Sequence, residues 1–518
     1  MPARVTLAAL LLLPALGLAV DPLHVRLDAV IEAAAKANGV ALSDPADDGE
    51  FLRRAWLDFS GRIPTAAEAR AFLADRSADK RTKLLDALLA KPEYAIHLSQ
   101  RFHVLLMERL GDSTEWREYL HRSFAANAPW DRLVRDMLKA DATTGAGFFL
   151  AKRLENYGQQ PVDYSALTRD VGRLFLGKNF QCAECHDHLT VDEYKQSDFQ
   201  GLHAFFRNAL LVDAKTMRVG EKPTTEKTGF ASVFTKAART TAPALPGGTM
   251  TEIPQFPKGQ EFAQPPDRKT NSPGVPKFST LAAVAEQLPT AANKDFARNA
   301  ANRVWFLLLG RGLVHPLDLH HAGNPPSHPE ALDLLAEELV KAKFDLKFLL
   351  RQIALTRAYQ RSSRLPKGAT KPPEPKHFAT ALEKRLSAEQ LFAAVSAATG
   401  TTPADAVKAK FLKAYANPAR DPEEEVQPSL RAALFLRNDV ALLELLKPAP
   451  GTLVGRVAEL PDAKVADELY LSILTRPPTP DEAATVAKFL AKPGAKKADA
   501  VGKLAWALLA SAEFGVNH

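Results

Sequence analysis

Apolar residues recur at helical spacing along most of this chain, and helix-start signals stand in front of them. Thr65 and Glu68 have the spacing of a capping box, in which each side chain bonds the backbone of the other residue. Asn293 and Gly310 bracket another helix, because asparagine caps a first turn and glycine accepts the left-handed backbone after a last turn. Strict alternation of apolar and polar residues is scarce. The pattern predicts an all-α protein of many helices.

One helix-start device occurs twice. Arg62 to Glu68 and Arg476 to Glu482 share the pattern Arg-x-Pro-Thr-x-x-Glu, each between two apolar helices. Further on, Leu84 to Tyr94 (LLDALLAKPEY) matches Leu504 to Phe514 (LAWALLASAEF). A single three-helix module used twice accounts for both matches. Two copies are too few for a solenoid.

A chain of 518 residues is expected to form two or three compact units. Residues 212–276 are rich in Pro, Gly and Thr and have little helical period, which is typical of a connector. Short β segments there are predicted at Ala231 to Phe234 and Thr249 to Ile253. We therefore predict a helical domain over 20–211, an irregular connector over 212–276 and a second helical domain over 277–518.

The first residues predict export. Arg4 precedes an apolar run from Val5 to Val20, and the small residues Gly17 and Ala19 suit cleavage by signal peptidase, so residues 1–19 are interpreted as a signal peptide. This run is too short for a comfortable membrane span, and no later stretch has about 20 uninterrupted apolar residues. We expect a protein of the periplasm or cell envelope with no transmembrane span after cleavage.

Charge and motifs exclude several function classes. The net charge of +7 is mild for this length, and Lys and Arg are interspersed with Asp and Glu, which argues against a nucleic-acid partner. No Ser-His-Asp order, phosphate-cradling glycine loop or dinucleotide fingerprint occurs. The chemistry of this chain must therefore come from another motif.

Both cysteines of the chain fall in one short motif, Cys182-Ala183-Glu184-Cys185-His186. In an exported protein, C-x-x-C-H predicts covalent attachment of one haem c. Cys182 and Cys185 would form thioethers with the porphyrin, and His186 would be the proximal ligand of the iron. The sequence therefore predicts one covalent haem, held by these three residues.

Two alternatives remain for the same residues. A redox dithiol of the thioredoxin type expects a strand before the motif, whereas Tyr164 to Leu176 has the period of an amphipathic helix. A zinc site would use Cys182, Cys185, His186 and His188, which are crowded into seven residues. Haem is the favoured interpretation, with a disulfide or dithiol and a metal site as the alternatives.

A sixth iron ligand would come from elsewhere in the chain. His188 is too close to His186 in sequence to reach the opposite face of the same haem. The better candidates are His203, on the predicted helix Phe199 to Phe206, and Met107 or Met137 on earlier helices. Isolated His and Met residues more often pack in a core.

Several separate motifs resemble a known family pair. Phe51 to Thr65 (FLRRAWLDFSGRIPT), Asn127 to Asp131 (NAPWD) and C-A-x-C-H-D-H resemble the planctomycete cytochrome-C-like domain. Asn302 to Val314 and Ala358 to Ser362 resemble the domain of unknown function that usually accompanies it. The resemblance implies a cytochrome-like exported protein, although no reaction is established for the family. Leu189 stands where the family usually has proline, which affects the local turn.

Two function classes follow. In the first, the chain is an exported monohaem c-type cytochrome-like protein that exchanges electrons with a partner protein or performs haem-dependent redox chemistry. In the second, Cys182 and Cys185 form a disulfide, and the protein is a helical scaffold or binding module of the cell surface. We favour the first.

Overall fold

The structure is a computed structural model that describes residues 21–140, 143–156, 159–270, 272–422, 430–494 and 496–518. The predicted signal peptide lies outside the described residues. The chain is about 52% helical, with 23 α-helices in the described part. Those of the first half are α1 (Leu23–Ala37), α2 (Asp48–Ser60), α3 (Ala66–Ala74), α4 (Lys80–Ala90), α5 (Pro92–Met107), α6 (Thr114–Ala125), α7 (Trp130–Leu138), α8 (Phe148–Arg153), α9 (Tyr164–Leu176) and α10 (Gln196–Phe206).

Helices resume after residue 279 and continue close to residue 518. They are α11 (Thr280–Gln287), α12 (Lys294–Leu309), α13 (Pro329–Lys341), α14 (Leu346–Leu355), α15 (Arg357–Gln360), α16 (Ala388–Thr399), α17 (Asp405–Tyr415), α18 (Leu430–Asn438), α19 (Val440–Glu444), α20 (Leu453–Ala458), α21 (Asp462–Leu474), α22 (Pro480–Leu490) and α23 (Lys497–Leu509). The prediction of a mainly helical protein is confirmed. Among the described residues, no helix combines the length and apolar character needed to cross a membrane.

Short antiparallel strand pairs interrupt the helices. Each described sheet has two strands: β1 (Ala209–Asp213) with β2 (Arg218–Glu221), β3 (Thr228–Ala231) with β4 (Ala238–Thr241), β5 (Phe262–Gln264) with β6 (Val275–Pro276), and β7 (Lys384–Arg385) with β8 (Val516–Asn517). The expected short β segments therefore exist, but their predicted positions were inaccurate. Ala231 ends a strand that begins at Thr228, and Thr249 to Ile253 forms none.

Buried apolar side chains form two clusters. The larger takes residues from Leu23 to Phe378, together with Leu471, so both predicted helical domains contribute to it. The smaller takes residues from Leu386 to Phe514, together with Leu57 and Ile63. The predicted domain boundaries stay a prediction, and the larger cluster crosses them.

The repeated motif Arg-x-Pro-Thr-x-x-Glu has the same geometry in both copies. Thr65 and Glu68 form a capping box at the start of α3, and Thr479 and Glu482 form one at the start of α22. Arg62 donates to both carboxylate oxygens of Glu68 at 2.9 and 3.1 Å, and Arg476 to those of Glu482 at 2.8 and 2.9 Å. The two arginines also lie over aromatic rings six positions earlier, those of Trp56 and Tyr470. Such agreement supports the predicted duplication.

We expect replacement of Glu482 by Gln to flatten the acid side of the stability profile. Hydrogen bonds from Arg476 lower the pKa of Glu482 from 4.5 to about 2. A depressed carboxyl pKa stabilises the fold above pH 4.5, and this contribution is lost as the pH falls towards about 2. The Glu482 side chain is 29% exposed, so water weakens its ion pair with Arg476. We therefore expect Glu482→Gln to lower the free energy of unfolding at neutral pH by only about 1 kcal/mol.

Denaturant midpoints at a series of pH values would measure this effect. The matched control is Asp481→Asn, which removes a neighbouring carboxylate of the same first turn. If Glu482→Gln and the wild type lost stability in parallel on acidification, the ion pair would not contribute as described.

Two buried arginines of α2 tie that helix to distant backbone. Arg53 donates to the carbonyl oxygens of Ile473 at 3.2 Å and Phe514 at 2.8 Å. Arg54 donates to the carbonyl oxygen of His518 at 2.9 Å and to the carboxylate of Glu50 at 2.7 Å. The first helices are therefore bonded to the last described residues.

Candidate functional site

The motif Cys182 to His186, called the cysteine turn below, lies between α9 and α10. Cys182–Glu184 forms one 3-10 turn. Before it, Gly177 takes the left-handed conformation (φ 68°) that ends α9. Phe180 is fully buried and would lie 2.7 Å from a Cβ atom at Gly172, so only glycine allows this close approach. The turn is thus anchored on the preceding helix by a buried ring.

The two thiols are both accessible. Cys182 and Cys185 are exposed and unpaired, while Ala183 between them is fully buried. The Cys185 amide donates to the Cys182 carbonyl oxygen at 3.3 Å, which closes the turn. Both sulfur atoms can therefore be reached by a large group outside the fold.

The His186 ring has a defined tautomer. Its Nδ1 atom lies 2.6 Å from the backbone oxygen of Asp187. A carbonyl oxygen can only accept, so Nδ1 carries the proton and the lone pair is on Nε2. In the described part of the chain, Nε2 makes no hydrogen bond. A backbone carbonyl that holds Nδ1–H in this way is typical of metal-ligating histidines.

His188 has the opposite tautomer. Its Nδ1 accepts from the amides of Thr190 at 3.2 Å and Val191 at 3.1 Å, so the proton is on Nε2. The His188 amide donates to the Tyr194 carbonyl oxygen at 2.9 Å. His188 therefore stabilises the next turn, and neither of its ring nitrogens offers a lone pair to a metal.

Exposed apolar side chains surround the cysteine turn. Leu189 is 76% exposed, Val233 46% and Phe234 64%. The Phe234 ring centroid lies 4.6 Å from that of His186, and the Val233 amide donates to the Cys185 carbonyl oxygen at 3.0 Å. We call these three residues the apolar rim. Large exposed apolar side chains concentrated in one region are typical of a binding surface.

Polar contacts fix the turn against both neighbouring helices. The Glu184 carbonyl oxygen accepts from Gln200 Nε2 at 3.1 Å, and the Glu184 carboxylate pairs with Arg169 of α9. The backbone amide of Gln196 donates to Asp187 Oδ1 at 2.8 Å. The backbone that presents the thiols is therefore held in place from two sides.

The second half of the chain contributes a loop to this region. The His320 amide donates to the Gly177 carbonyl oxygen at 3.0 Å, and the Tyr194 hydroxyl donates to the His320 carbonyl oxygen at 3.2 Å. The His321 ring lies edge-on to Tyr194, with centroids 5.5 Å apart. Burial lowers the pKa of His320 to about 3, so that ring stays neutral. The surroundings of the cysteine turn thus come from both halves.

The three predicted sixth ligands lie in different environments. Met107 and Met137 are fully buried in the larger apolar cluster, and Met107 Sδ accepts from Arg153 at 3.8 Å. His203 lies on α10 between the rings of Phe199 and Tyr164. Its Nδ1 is buried without a hydrogen-bond partner, and burial lowers the pKa of the ring. Of these three residues, only His203 lies on a helix, α10, that is hydrogen-bonded to the cysteine turn.

The residues weighed for zinc do not converge. Across the described segments, no group of three or more His, Cys, Asp or Glu side chains is arranged to hold a metal ion. A haem fits the site better, because it needs two accessible thiols and one imidazole with a free Nε2, together with apolar contacts for the ring. These are the features of the cysteine turn and the apolar rim.

Sequence reasoning missed the contacts made over long distances. Phe234 and Val233 come from the predicted connector, and His320 and His321 from the second half. Nothing local in the sequence links these residues to the cysteines. The exposure of Phe234 is visible only once the chain is folded.

Two family models match the chain. Residues 26–210 match PSCyt2, described as a protein of unknown function (DUF1549), and residues 282–431 match PSD1, described as a protein of unknown function (DUF1553). No curated protein and no solved structure matches the chain. The cysteine turn lies within the first matched region, and His320 and His321 lie within the second.

Proposed function

Because the chain belongs to the family that joins a planctomycete cytochrome-C-like domain to its usual C-terminal domain of unknown function, we propose that it carries one haem c and transfers electrons at the cell envelope. When bound, the haem supplies reversible one-electron chemistry at its iron. Cys182 and Cys185 hold it through thioether bonds, and His186 Nε2 is the proximal ligand. A redox partner protein completes the transfer.

The tautomer of His186 is the observation that carries this proposal. Nδ1–H donates to the Asp187 carbonyl oxygen at 2.6 Å, which leaves the Nε2 lone pair directed away from the backbone. The hydrogen bond also increases the basicity of Nε2 and fixes the ring orientation. A disulfide between the cysteines would need neither property from the adjacent histidine.

The apolar rim supports the same assignment. A porphyrin is large, flat and mostly apolar, and covering Leu189, Val233 and Phe234 would remove their exposed surface from water. Burial of apolar area stabilises by about 25 cal/mol per Å². Burial also excludes water from the iron, which is one way in which a protein sets a haem potential.

The absorption spectrum of the full chain tests the proposal directly. The protein is produced in a bacterial host that matures c-type cytochromes and is purified from its periplasm. We expect a sharp α band on reduction, pigment that survives acid-acetone extraction, and a haem mass on the peptide containing Cys182 and Cys185. The matched control Cys182→Ala/Cys185→Ala should fold and be colourless.

A colourless wild-type protein would overturn the proposal. If its cysteine peptide had lost only two hydrogens, a disulfide-bonded helical scaffold or binding module would be the function to pursue. Pigment removed by acid-acetone would also contradict covalent attachment.

We further propose His203 as the sixth ligand, in preference to Met107 and Met137. Arg153 holds the Met107 sulfur, and Met137 is fully buried, whereas His203 has an unpartnered Nδ1 on the helix that bonds the cysteine turn. His203→Ala should keep covalent haem but shift its spectrum from low spin to high spin. His121→Ala, an exposed histidine of α6, is the control. An unchanged low-spin spectrum in His203→Ala would contradict the assignment.

A further inference from the structure

A small cavity lies far along the chain from the cysteine turn, where α2, α5 and α12 meet the strand pair β7 and β8. Its volume is about 50 Å³, which is room for a few water molecules. Its polar lining consists mainly of Asp58, His97, Arg101, Lys384, Arg385 and Asn517. Three of these six side chains are cationic, and only one is a carboxylate.

The single carboxylate is already fully engaged. Asp58 Oδ1 accepts from Lys384 Nζ at 2.7 Å and from Asn517 Nδ2 at 2.8 Å, and Oδ2 accepts from the Tyr359 hydroxyl at 3.0 Å. Lys384 Nζ also donates to the Leu308 carbonyl oxygen at 2.7 Å. Asp58 therefore neutralises Lys384 and has nothing left for the other cations of the cavity.

Arg101 makes no direct ion pair among the described residues, although its charge acts on the nearby Glu389 carboxylate. Within the described residues, its guanidinium makes no hydrogen bond and no ion pair. The nearby carboxylate of Glu389 is held by Arg109, with N to O distances of 3.0 and 3.3 Å. Burial, assisted by the charges of Arg101 and Lys384, lowers the pKa of His97 to about 3, so His97 is neutral. Among the six polar side chains that line the cavity, positive charge therefore exceeds negative charge.

Asn517 adds an acceptor to this cationic setting. The residue is 2% exposed, and its Oδ1 is buried with no hydrogen-bond partner. The orientation of the amide is fixed because Nδ2 donates to a carboxylate oxygen of Asp58, which can only accept. A buried acceptor without a donor costs free energy until some group supplies a proton.

We propose that this cavity binds a protonated oxyanion of the hydrogenphosphate type. Arg101 and the exposed Arg385 donate to its charged oxygens, since guanidinium groups match the geometry of oxyanions. Its remaining O–H donates to Asn517 Oδ1. An anion of this kind neutralises Arg101 and satisfies the orphan acceptor at once. Sulfate can neutralise Arg101 but cannot donate to Asn517 Oδ1, because it carries no proton near neutral pH.

Isothermal titration of the full chain with inorganic phosphate tests the site, with sulfate and chloride titrated at matched ionic strength. We expect phosphate to bind at least about tenfold more tightly than sulfate, as expected for one hydrogen bond to a buried acceptor. Arg101→Gln should weaken phosphate binding about tenfold or more, because a charge-assisted pair is lost. Arg364→Gln, whose side chain is 81% exposed, should bind like the wild type.

The same titrations can overturn the site. No heat from phosphate, or equal affinity in the wild type and Arg101→Gln, would do so. Sulfate binding as tightly as phosphate would remove the role of Asn517. If Arg101→Gln fails to fold, Arg385→Gln on the exposed side of β7 replaces it and is expected to lose affinity in the same direction.

Discussion

Replacing His186 with Ala is expected to abolish the low-spin spectrum of the reduced protein, whereas the same change at His188 leaves it intact. The Nε2 atom of His186 carries a free lone pair, since Nδ1–H donates to the Asp187 carbonyl oxygen. Without it the proposed haem would have no proximal imidazole, so we expect the sharp α band to be lost. The measurement is the α-band absorbance per mole of purified chain.

His188→Ala is an unusually close control, because the two histidines are two residues apart. Its ring accepts from two backbone amides, so we expect a small loss of stability and a normal spectrum. Far-UV circular dichroism and a denaturant midpoint would show that both variants fold. A wild-type α band in His186→Ala, or an equal loss in His188→Ala, would refute the proximal assignment.

Replacing Arg54 with Met is expected to destabilise the fold by about 3–5 kcal/mol, the usual cost of leaving one partner of a buried ion pair alone. The side chains of Arg54 and Glu50 are 3% and 7% exposed, and their atoms lie 2.7 Å apart. Arg54 also donates to the carbonyl oxygens of Tyr359 and Arg361. Removing it leaves the buried Glu50 carboxylate without its counter-ion and several backbone carbonyl oxygens without their donor.

Guanidinium denaturation followed by circular dichroism would measure this loss. Arg364→Met, at a side chain 81% exposed, is the matched control and should change stability by less than about 0.5 kcal/mol. Adding Glu50→Gln to Arg54→Met should recover part of the loss, because no unpaired charge then stays buried. A loss below about 1 kcal/mol in Arg54→Met would mean that water compensates for the missing arginine.

Elements with strong local signals were predicted well from the sequence. The helix Tyr164 to Leu176 and the helix ending at Leu309 before Gly310 have the predicted limits. The reason is that their limits depend on residues within one turn, such as Asn293, whose side chain accepts from the Phe296 amide. The equivalence of Arg62 and Arg476 was likewise visible in their spacing.

Apolar period alone cannot place a helix boundary where a capping residue lies inside the apolar run. The helical period of apolar residues continues from Leu346 to Tyr359, yet the structure divides this stretch at Thr356, whose side chain caps the short helix that follows. Leu430 to Leu446 breaks in the same way at Asp439, which accepts from the Ala441 amide at 2.8 Å. Thr and Asp inside an apolar run deserved more weight as helix starts.

The residues of the candidate site also differ in how well they could be predicted from the sequence. Cys182, Cys185 and His186 could be found because their spacing is local. The apolar rim and the loop at His320 could not, because they reach the cysteine turn through tertiary contacts that no sequence period encodes. The tautomers of His186 and His188 depend on single backbone oxygens and amides, which only the folded turn reveals.

The bonds from Arg53 and Arg54 to the carbonyl oxygens of Phe514 and His518 have a consequence for biosynthesis. While the ribosome is still translating the last part of the chain, Arg53 lacks the Phe514 carbonyl oxygen and Arg54 lacks that of His518, although Glu50 on the same helix can already pair with Arg54. The two arginines therefore gain their full set of partners only once the last helices are in place. Because burying an unpaired guanidinium group is costly, we expect the native packing around α2 to be completed late in folding.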